Sequence, residues 1–338
     1  MTKYLLGIDQ GGTKTNAIVC DTHGRILGMG HERGLAKTYF DDTEELYIKR
    51  IVYAANQACE TAGISLSDIS AVCAGLNGAD WDFEYPILTQ RLLRAVNVTD
   101  VIVLNDCMVA LRGGSSQQEC AVICAGSGLN AAVRRADGKE FIYGYYVDSA
   151  YAGADALGTA ALRKVMEASL SLCNETILTE LILSDLGYSS AEQLMIDLSM
   201  GKYNLARKTL APLLLRAFAL GDVEAKDVVE TFARGLARYI TVAMKRLNVS
   251  GSALEVVFSG SVFKDVGTLV AQKIYDIIAV SEPNVKMVHA RYEPVCGAAL
   301  TLLDREWGGE LPEEVNAAFD ESAAAYKLLR NLSLEGFV

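Results

Sequence analysis

Gly7-Ile8-Asp9-Gln10-Gly11-Gly12-Thr13-Lys14-Thr15-Asn16-Ala17-Ile18-Val19-Cys20-Asp21 reads as a β-hairpin carrying a glycine turn. Tyr4, Leu5, Leu6 and Ile8 precede the turn and Ala17, Ile18 and Val19 follow it, so apolar runs of strand length flank the glycines on both sides. Two adjacent glycines let the backbone approach a ligand with its N–H groups pointing outward, an arrangement suited to phosphate. Thr13 and Thr15 add hydroxyl donors, and Asp9, at the end of the first strand, is placed to hold a phosphate-bound Mg²⁺ through water. A plain hairpin with a Gly-Gly turn is the competing reading. The order Gly-Gly-Thr-Lys-Thr lacks the spacing and the following helix of a Walker A loop, and no GxGxxG opens a helix.

A chain of 338 residues is long for one core and fits two lobes. Hydrophobic residues at 51% and charged ones at 22% allow large cores, while no apolar run reaches the roughly 18 residues of a spanning helix. Met1-Thr2-Lys3 leads into a strand rather than a signal peptide, so a cytoplasmic location is expected. The formal net charge of -11 argues against nucleic-acid or anionic-membrane partners. A phosphate-bearing ligand is then expected to be held by backbone amides, dipoles and Mg²⁺ more than by a cationic field. The 8 cysteines form no CxxC pair and no zinc spacing, which fits buried free thiols in a reducing compartment.

Further along, Gly24–Gly30 predicts a third strand, Thr43–Ala62 a helix, Ile69–Gly75 a fourth strand, Tyr85–Val96 a helix and Val101–Leu104 a fifth strand closed by Asn105-Asp106. That order gives a mixed sheet, its first three strands antiparallel and the rest joined by crossover helices. The theme then returns: Ala121–Ala125 runs into Gly126-Ser127-Gly128, Leu129–Arg134 and a short strand at Phe141–Tyr143, an apparent internal duplication. Residues 153–247 read as helical, followed by strands at Leu254–Phe258 and Val285–Val288 with helices to about Ile278, from near Pro294 and from about Pro312 to Arg330. The expected division is a first lobe at 1–114, rejoined by 312–338, and a second lobe at 115–311 with a helical insertion.

Two such lobes, each opened by a glycine hairpin, with a third glycine turn after a late strand, resemble the actin/hexokinase/Hsp70 ATPase superfamily. The resemblance implies an α/β fold of two ribonuclease H-like (actin-like ATPase) lobes, each a mixed five-stranded sheet with helices on both faces and the nucleotide between them. Asp9–Thr15 resembles the first phosphate motif, Ala125–Gly128 the second and Phe258–Lys264 the adenosine motif. Gly75-Leu76-Asn77-Gly78-Ala79-Asp80, Asn105-Asp106, Gly260-Ser261-Val262 and Pro294–Ala299 are most similar to N-acetylglucosamine kinases and the wider BadF/BadG/BcrA/BcrD ATPase family. The resemblance implies ATP and Mg²⁺ as cofactors, a small sugar or amino-sugar substrate and a homodimer. It places phosphate contacts at Gly11, Gly12, Thr13, Lys14, Gly126, Ser127 and Gly128, adenosine contacts at Gly221, Gly260, Ser261 and Lys264, and the catalytic base at Asp106. Phosphoryl transfer needs little covalent chemistry beyond in-line positioning and charge neutralisation, so one carboxylate facing the γ-phosphate suffices. Asp106 as a mere helix cap is the alternative, whereas for Asp80, before Trp81-Asp82-Phe83, an N-cap is the expected role.

The acceptor pocket departs from the family pattern. N-acetylglucosamine kinases carry Ser-(Ser/Thr)-Asn-His after the third strand, where this chain has Leu35-Ala36-Lys37-Thr38-Tyr39, with Thr38 in place of asparagine. They also carry Gly-Trp-Gly and Gly-Asp-Glu-Gly-Ser, where this chain has Gly144-Tyr145-Tyr146 and Ala150–Ala154. The expected acceptor contacts are thus Thr38, Asn77, Asn130, Tyr145 and Asp148, with Asp155 as a second substitute carboxylate. Tyr143, Tyr145, Tyr146 and Tyr151 either stack on a ring face or pack as ordinary core. Two other readings remain open: an activator ATPase bridging a [4Fe-4S] cluster through a cysteine near the second motif, here Cys124, and a non-catalytic sensor.

Overall fold

The structure is a computed structural model that describes residues 3–35 and 43–330. Its elements run β1 (Tyr4–Gln10), β2 (Lys14–Asp21), β3 (Ile26–Arg33), α1 (Thr43–Ala62), β4 (Ile69–Leu76), α2 (Glu84–Val96), β5 (Val101–Asn105) and α3 (Asp106–Gly114). There follow β6 (Cys120–Ala125), β7 (Leu129–Arg134), β8 (Glu140–Ile142), α4 (Gly153–Ser169), α5 (Ile177–Leu186), α6 (Ala191–Ser199), α7 (Ala211–Ala219) and α8 (Val223–Arg246). The chain ends with β9 (Glu255–Ser259), α9 (Thr268–Ser281), β10 (Lys286–His289), α10 (Pro294–Trp307) and α11 (Glu313–Ala325).

The strands form two five-stranded sheets, ordered β3-β2-β1-β4-β5 and β10-β9-β6-β7-β8. Read outward from β1 and from β6, the two orders are the same. In each, the first three strands pair antiparallel and the later two parallel. The duplication expected from the repeated hairpin is therefore a duplication of topology. β3 lies a few residues beyond its expected span, and the long helical region divides into α4 to α8.

Strands buried on both faces explain why the sheets read as apolar runs rather than alternating patterns. In β1, Leu6 and Ile8 face α1 and α2, while Leu5 faces α10 and α11. Gly7 marks the closest approach of α10, since a Cβ there would lie 2.7 Å from the Ala299 nitrogen. α1 turns a stripe of Tyr47, Ile51, Ala54, Ala58 and Cys59 to the sheet at helical spacing. The second sheet buries one face under α4, α7, α8 and α9, and the other under α3. The return of the chain to the first sheet comes earlier than position 312, because α10 already packs on β1 and β4. Among the described residues no helix is long and apolar enough to cross a membrane.

α3 is the hinge of this arrangement for the site. It leaves β5 of the first sheet, packs Cys107, Met108 and Leu111 against Val122 and Val257 of the second, and so sets its N-terminus between the two.

Candidate active site

A cavity of about 520 Å³ opens between the sheets, within the usual range for small-molecule sites. Three glycine turns form one end. The β1–β2 tip is closed by the Gly11 N–H donating to the Lys14 carbonyl at 2.9 Å, and the β6–β7 tip by Gly126 N–H to Gly128 carbonyl at 3.0 Å. A Cβ on Gly126 or Gly128 would meet nothing within 4 Å, so the second tip presents bare backbone to the cleft. The tips touch across the cleft, with Thr13 Oγ1 3.0 Å from Ser127 Oγ. Thr15 points elsewhere, its buried hydroxyl donating to the Arg33 carbonyl. After β9, Gly260 adopts φ 106°, and a Cβ there would come 2.1 Å from the Ala125 carbonyl oxygen, so the third turn requires glycine. Ser261 and Lys264 line the same end, whereas Gly221 sits apart from it in the left-handed turn between α7 and α8.

Carboxylates line the same cleft. Asp106 begins α3, and the cap belongs to Asn105, whose Oδ1 accepts from the Cys107 N–H at 3.0 Å. Freed from capping, Asp106 lines the cleft. Burial, and next the charge of Asp80, raise its pKa to about 7, against hydrogen bonds from the Cys107 backbone and the Asn130 side chain. Asp9, at the end of β1, is likewise pushed up to about 7 by burial and by Asp106, with Lys14 pulling it down.

Asp80 is not the N-cap expected from sequence. Glu84, in the first turn of α2, reaches back and accepts from the N–H groups of Asp80 and Trp81 at 2.7 and 2.8 Å. Asp80 is thereby turned into the cleft, where its Oδ1 accepts from Asn105 Nδ2 at 2.8 Å. Asn105 is the hub that the sequence reading missed: it caps α3, donates to Asp80 and accepts from Asn130 Nδ2 at 3.0 Å. Asn130 Oδ1 in turn accepts from the Gly144 N–H, and Gly144 packs so close to Asp80 that a Cβ would lie 2.7 Å from its Cγ. The Asn105-Asp106 dipeptide at a strand end was the one local signal for this cluster.

The remaining acceptor candidates divide. Asn77 and Tyr145 line the cleft. Asp148 does not, since its carboxylate caps the turn that follows by accepting from Ala150 N–H, and Asp155 accepts from Lys208 N–H. Thr38 lies outside the described residues. Of the four tyrosines, Tyr143 and Tyr151 pack on Tyr239 inside the second lobe, whereas the exposed Tyr145 and Tyr146 meet Trp81 of the first, at ring separations of 6.2 and 5.4 Å. Cys124 also lines the cleft, its thiol held well above the ordinary range by burial and by the charge of Asp106.

The cleft carries more positive charge than the acidic composition led one to expect. Glu293, just before α10, binds Lys14 Nζ at 3.0 Å and Lys264 Nζ at 2.7 Å. Although burial opposes its ionisation, these two lysines hold its carboxyl at about 2. Arg330 arrives from beyond α11, paired by Tyr292 and Leu329 to the strand-like stretch before α10. Its guanidinium, 2% exposed, donates to Ser259 Oγ at 3.1 Å and to the Gly260 carbonyl at 2.5 Å, and its Nε, without a hydrogen bond, lies 3.8 Å from Glu293 Oε1. Lys208 Nζ stands 3.4 Å from Ser127 Oγ.

A model of the family described as BadF/BadG/BcrA/BcrD ATPase matches residues 6–301. An N-acetylmuramic acid/N-acetylglucosamine kinase of Clostridium acetobutylicum is 24% identical over 305 residues, covering 88% of this chain and 97% of that one. An N-acetyl-D-glucosamine kinase of Dictyostelium discoideum is 23% identical over 322 residues, covering 89% and 98%. Among solved structures, a Chromobacterium violaceum protein provisionally described as an N-acetylglucosamine kinase superposes with a TM-score of 0.67 at 20% identity, over 89% of this chain and 99% of that one.

Proposed function

Because the chain belongs to the BadF/BadG/BcrA/BcrD ATPase family, we propose that it is an ATP-dependent kinase that phosphorylates a hydroxyl of a sugar or amino sugar. The observation that carries the proposal is the meeting, in one cleft, of glycine tips flanked by Lys14 and Lys264 with the carboxylates of Asp106, Asp80 and Asp9. The tips at Gly11–Lys14 and Gly126–Gly128 offer backbone donors to the ATP phosphates, and the turn at Gly260 and Ser261 borders the adenosine side. Asp106, with a pKa near the working pH, accepts the proton of the attacking hydroxyl.

Asp9 fits a Mg²⁺ site of the hard-oxygen kind, being a buried carboxylate at the foot of the first tip with Asp106 near it. Among the described residues no cluster of three or more metal-binding side chains accompanies it, so Asp9 would hold the ion together with phosphate oxygens and water. When bound, the ion supplies neutralisation of phosphate charge. The free state of all 8 cysteines supports a reducing compartment such as the cytoplasm, and the family resemblance supports a homodimer.

For the acceptor we propose a polyhydroxy compound gripped by Asp80, Asn130 and Asn77, with Tyr145 against its ring. N-acetylglucosamine itself is expected to be a poor substrate, because Thr38 and Ala150–Ala154 stand where the resembling kinases carry asparagine and aspartate. A buried hydrogen bond to a charged group contributes roughly 1.5–3 kcal/mol, so two losses cost on the order of several hundredfold. Asp80 supplies a carboxylate to the cleft but belongs to the stretch shared with those kinases, so it does not replace the missing groups. ADP release measured over sugars, amino sugars and their N-acetyl and muramyl derivatives tests both points. Sugar-dependent turnover with at least one acceptor is expected; none with any of them overturns the kinase reading. A kcat/KM above about 10⁴ M⁻¹s⁻¹ on N-acetylglucosamine overturns the diverged pocket alone.

A further inference from the structure

Lys208 stands behind the second glycine tip, against Ser127, and neither its position in the sequence nor any motif marks it. It belongs to a single turn, Arg207–Leu210, wedged against α4, where Gly158 makes the approach possible: a Cβ there would lie 1.7 Å from the Arg207 carbonyl oxygen. Asp155 fixes the turn by accepting from the Lys208 N–H at 3.1 Å. The same helix is seated beneath the second glycine tip, since Ala154 N–H donates to the Gly126 carbonyl at 2.8 Å. Turn, helix and tip are thus one rigid unit, and it aims Lys208 Nζ at Ser127 Oγ. Lys14 and Lys264 share the carboxylate of Glu293, but among the described residues Lys208 has no carboxylate partner for its ammonium. The neighbouring Arg207 also keeps a buried Nη1 without a partner. An ammonium held 3.4 Å from a serine hydroxyl, itself 3.0 Å from Thr13 across the cleft, lies where the two glycine tips meet.

We propose that Lys208 binds a phosphate oxygen of the nucleotide at the Ser127 tip. The inference rests on the ATP reading above and adds to it a residue from the helical insertion, so that the insertion takes part in nucleotide binding. An ammonium is a point charge suited to phosphate and indifferent to the nucleoside, which sets the form of the test.

Affinities of ATP, ADP and adenosine are measured for the wild-type protein, Lys208→Met and Lys208→Arg in Mg²⁺ buffer. Lys208→Met is expected to weaken ATP and ADP by about tenfold or more and leave adenosine unchanged, with Lys208→Arg recovering most of the loss, as a charge-assisted hydrogen bond of about 1.5 kcal/mol implies. ATP binding unaltered in Lys208→Met, or adenosine weakened in the same proportion, overturns the proposal. A second measurement needs no variant: ATP and ADP, but not adenosine, are expected to protect Lys208 of the wild-type chain from an amine-reactive label read by mass spectrometry, and equal labelling in all three overturns it. Wild-type protein that binds no ATP defeats the kinase reading too, whereas wild-type binding with an indifferent Lys208 defeats this inference alone.

Discussion

Replacing Asp106 by asparagine tests the base and its environment together. The carboxyl is raised from 3.8 to about 7, chiefly by burial and then by Asp80. A carboxyl with a higher pKa in the folded than in the unfolded state binds protons more tightly when folded. The stability it contributes is therefore full below the unfolded value of 3.8 and is lost as the pH rises through about 7. The displacement of about 3 units corresponds to an upper bound of about 4 kcal/mol. Because the group opens on the cleft, water screens part of this and roughly 2 kcal/mol is the working figure. Asparagine keeps the shape and carries no charge, so Asp106→Asn is expected to be the more stable protein at pH 8, with less than half of the gain remaining at pH 5. Turnover falls by on the order of a hundredfold or more while ATP binding persists, since the phosphate tips are untouched. In the wild-type enzyme kcat/KM drops as the pH falls below about 7, where Asp106 takes up its proton. Urea denaturation at the two pH values and steady-state ADP release are the assays. Wild-type turnover, or an equal loss of stability at pH 5 and pH 8 such as a removed helix cap would cause, refutes the reasoning.

Three further substitutions probe the rest of the cleft. Asp9→Ala is expected to abolish Mg²⁺-dependent turnover, and unchanged activity across a Mg²⁺ titration would make Asp9 only structural. Asp80→Asn removes the charge that helps hold the Asp106 pKa up, so the acidic limb of kcat/KM should move to lower pH while the acceptor KM rises; an unmoved limb counts against their coupling. Gly260→Ala forces a Cβ to within 2.1 Å of the Ala125 carbonyl at φ 106°, and the strain, of order 1–3 kcal/mol or more, should appear as weakened adenosine binding, with wild-type affinity telling against the turn's role.

What the sequence disclosed depended on how local each signal was. The sheets were legible because strands covered on both faces leave unbroken apolar runs, as at Leu5, Leu6 and Ile8, and because the glycine tips recur at the same point of each lobe. Asp106 was singled out by the resemblance, and the structure sets it on the cleft at the start of α3. Asp80 was misread because an aspartate just before a helix looks like a cap from composition alone, and nothing local says that Glu84 does the holding from inside the helix. Asn105 was passed over because its side-chain bonds reach the loop before α2, the start of α3 and β7, which no one stretch of sequence contains. Arg330 and Glu293 stand far in sequence from the Lys14 and Gly260 they serve, so no window of residues contains their interaction.

That the cleft holds cations at all, in a chain of negative net charge, has a related reason. Net charge is a sum over a surface, and 42 acidic residues against 31 basic ones make it negative however any single cleft is lined. What a phosphate meets is the local field, which low-dielectric walls focus and distant surface charges, screened within about 10 Å at 0.1 M salt, barely alter. Here Lys14 and Lys264, both held by Glu293, gather about the glycine tips with Lys208 and Arg330, and Asp80 and Asp106 are held beside them by Asn105 and Asn130. On the proposed reaction this arrangement is what the chemistry requires: cations where the triphosphate is gripped, and a buried carboxylate near neutrality where a hydroxyl must give up its proton as it attacks.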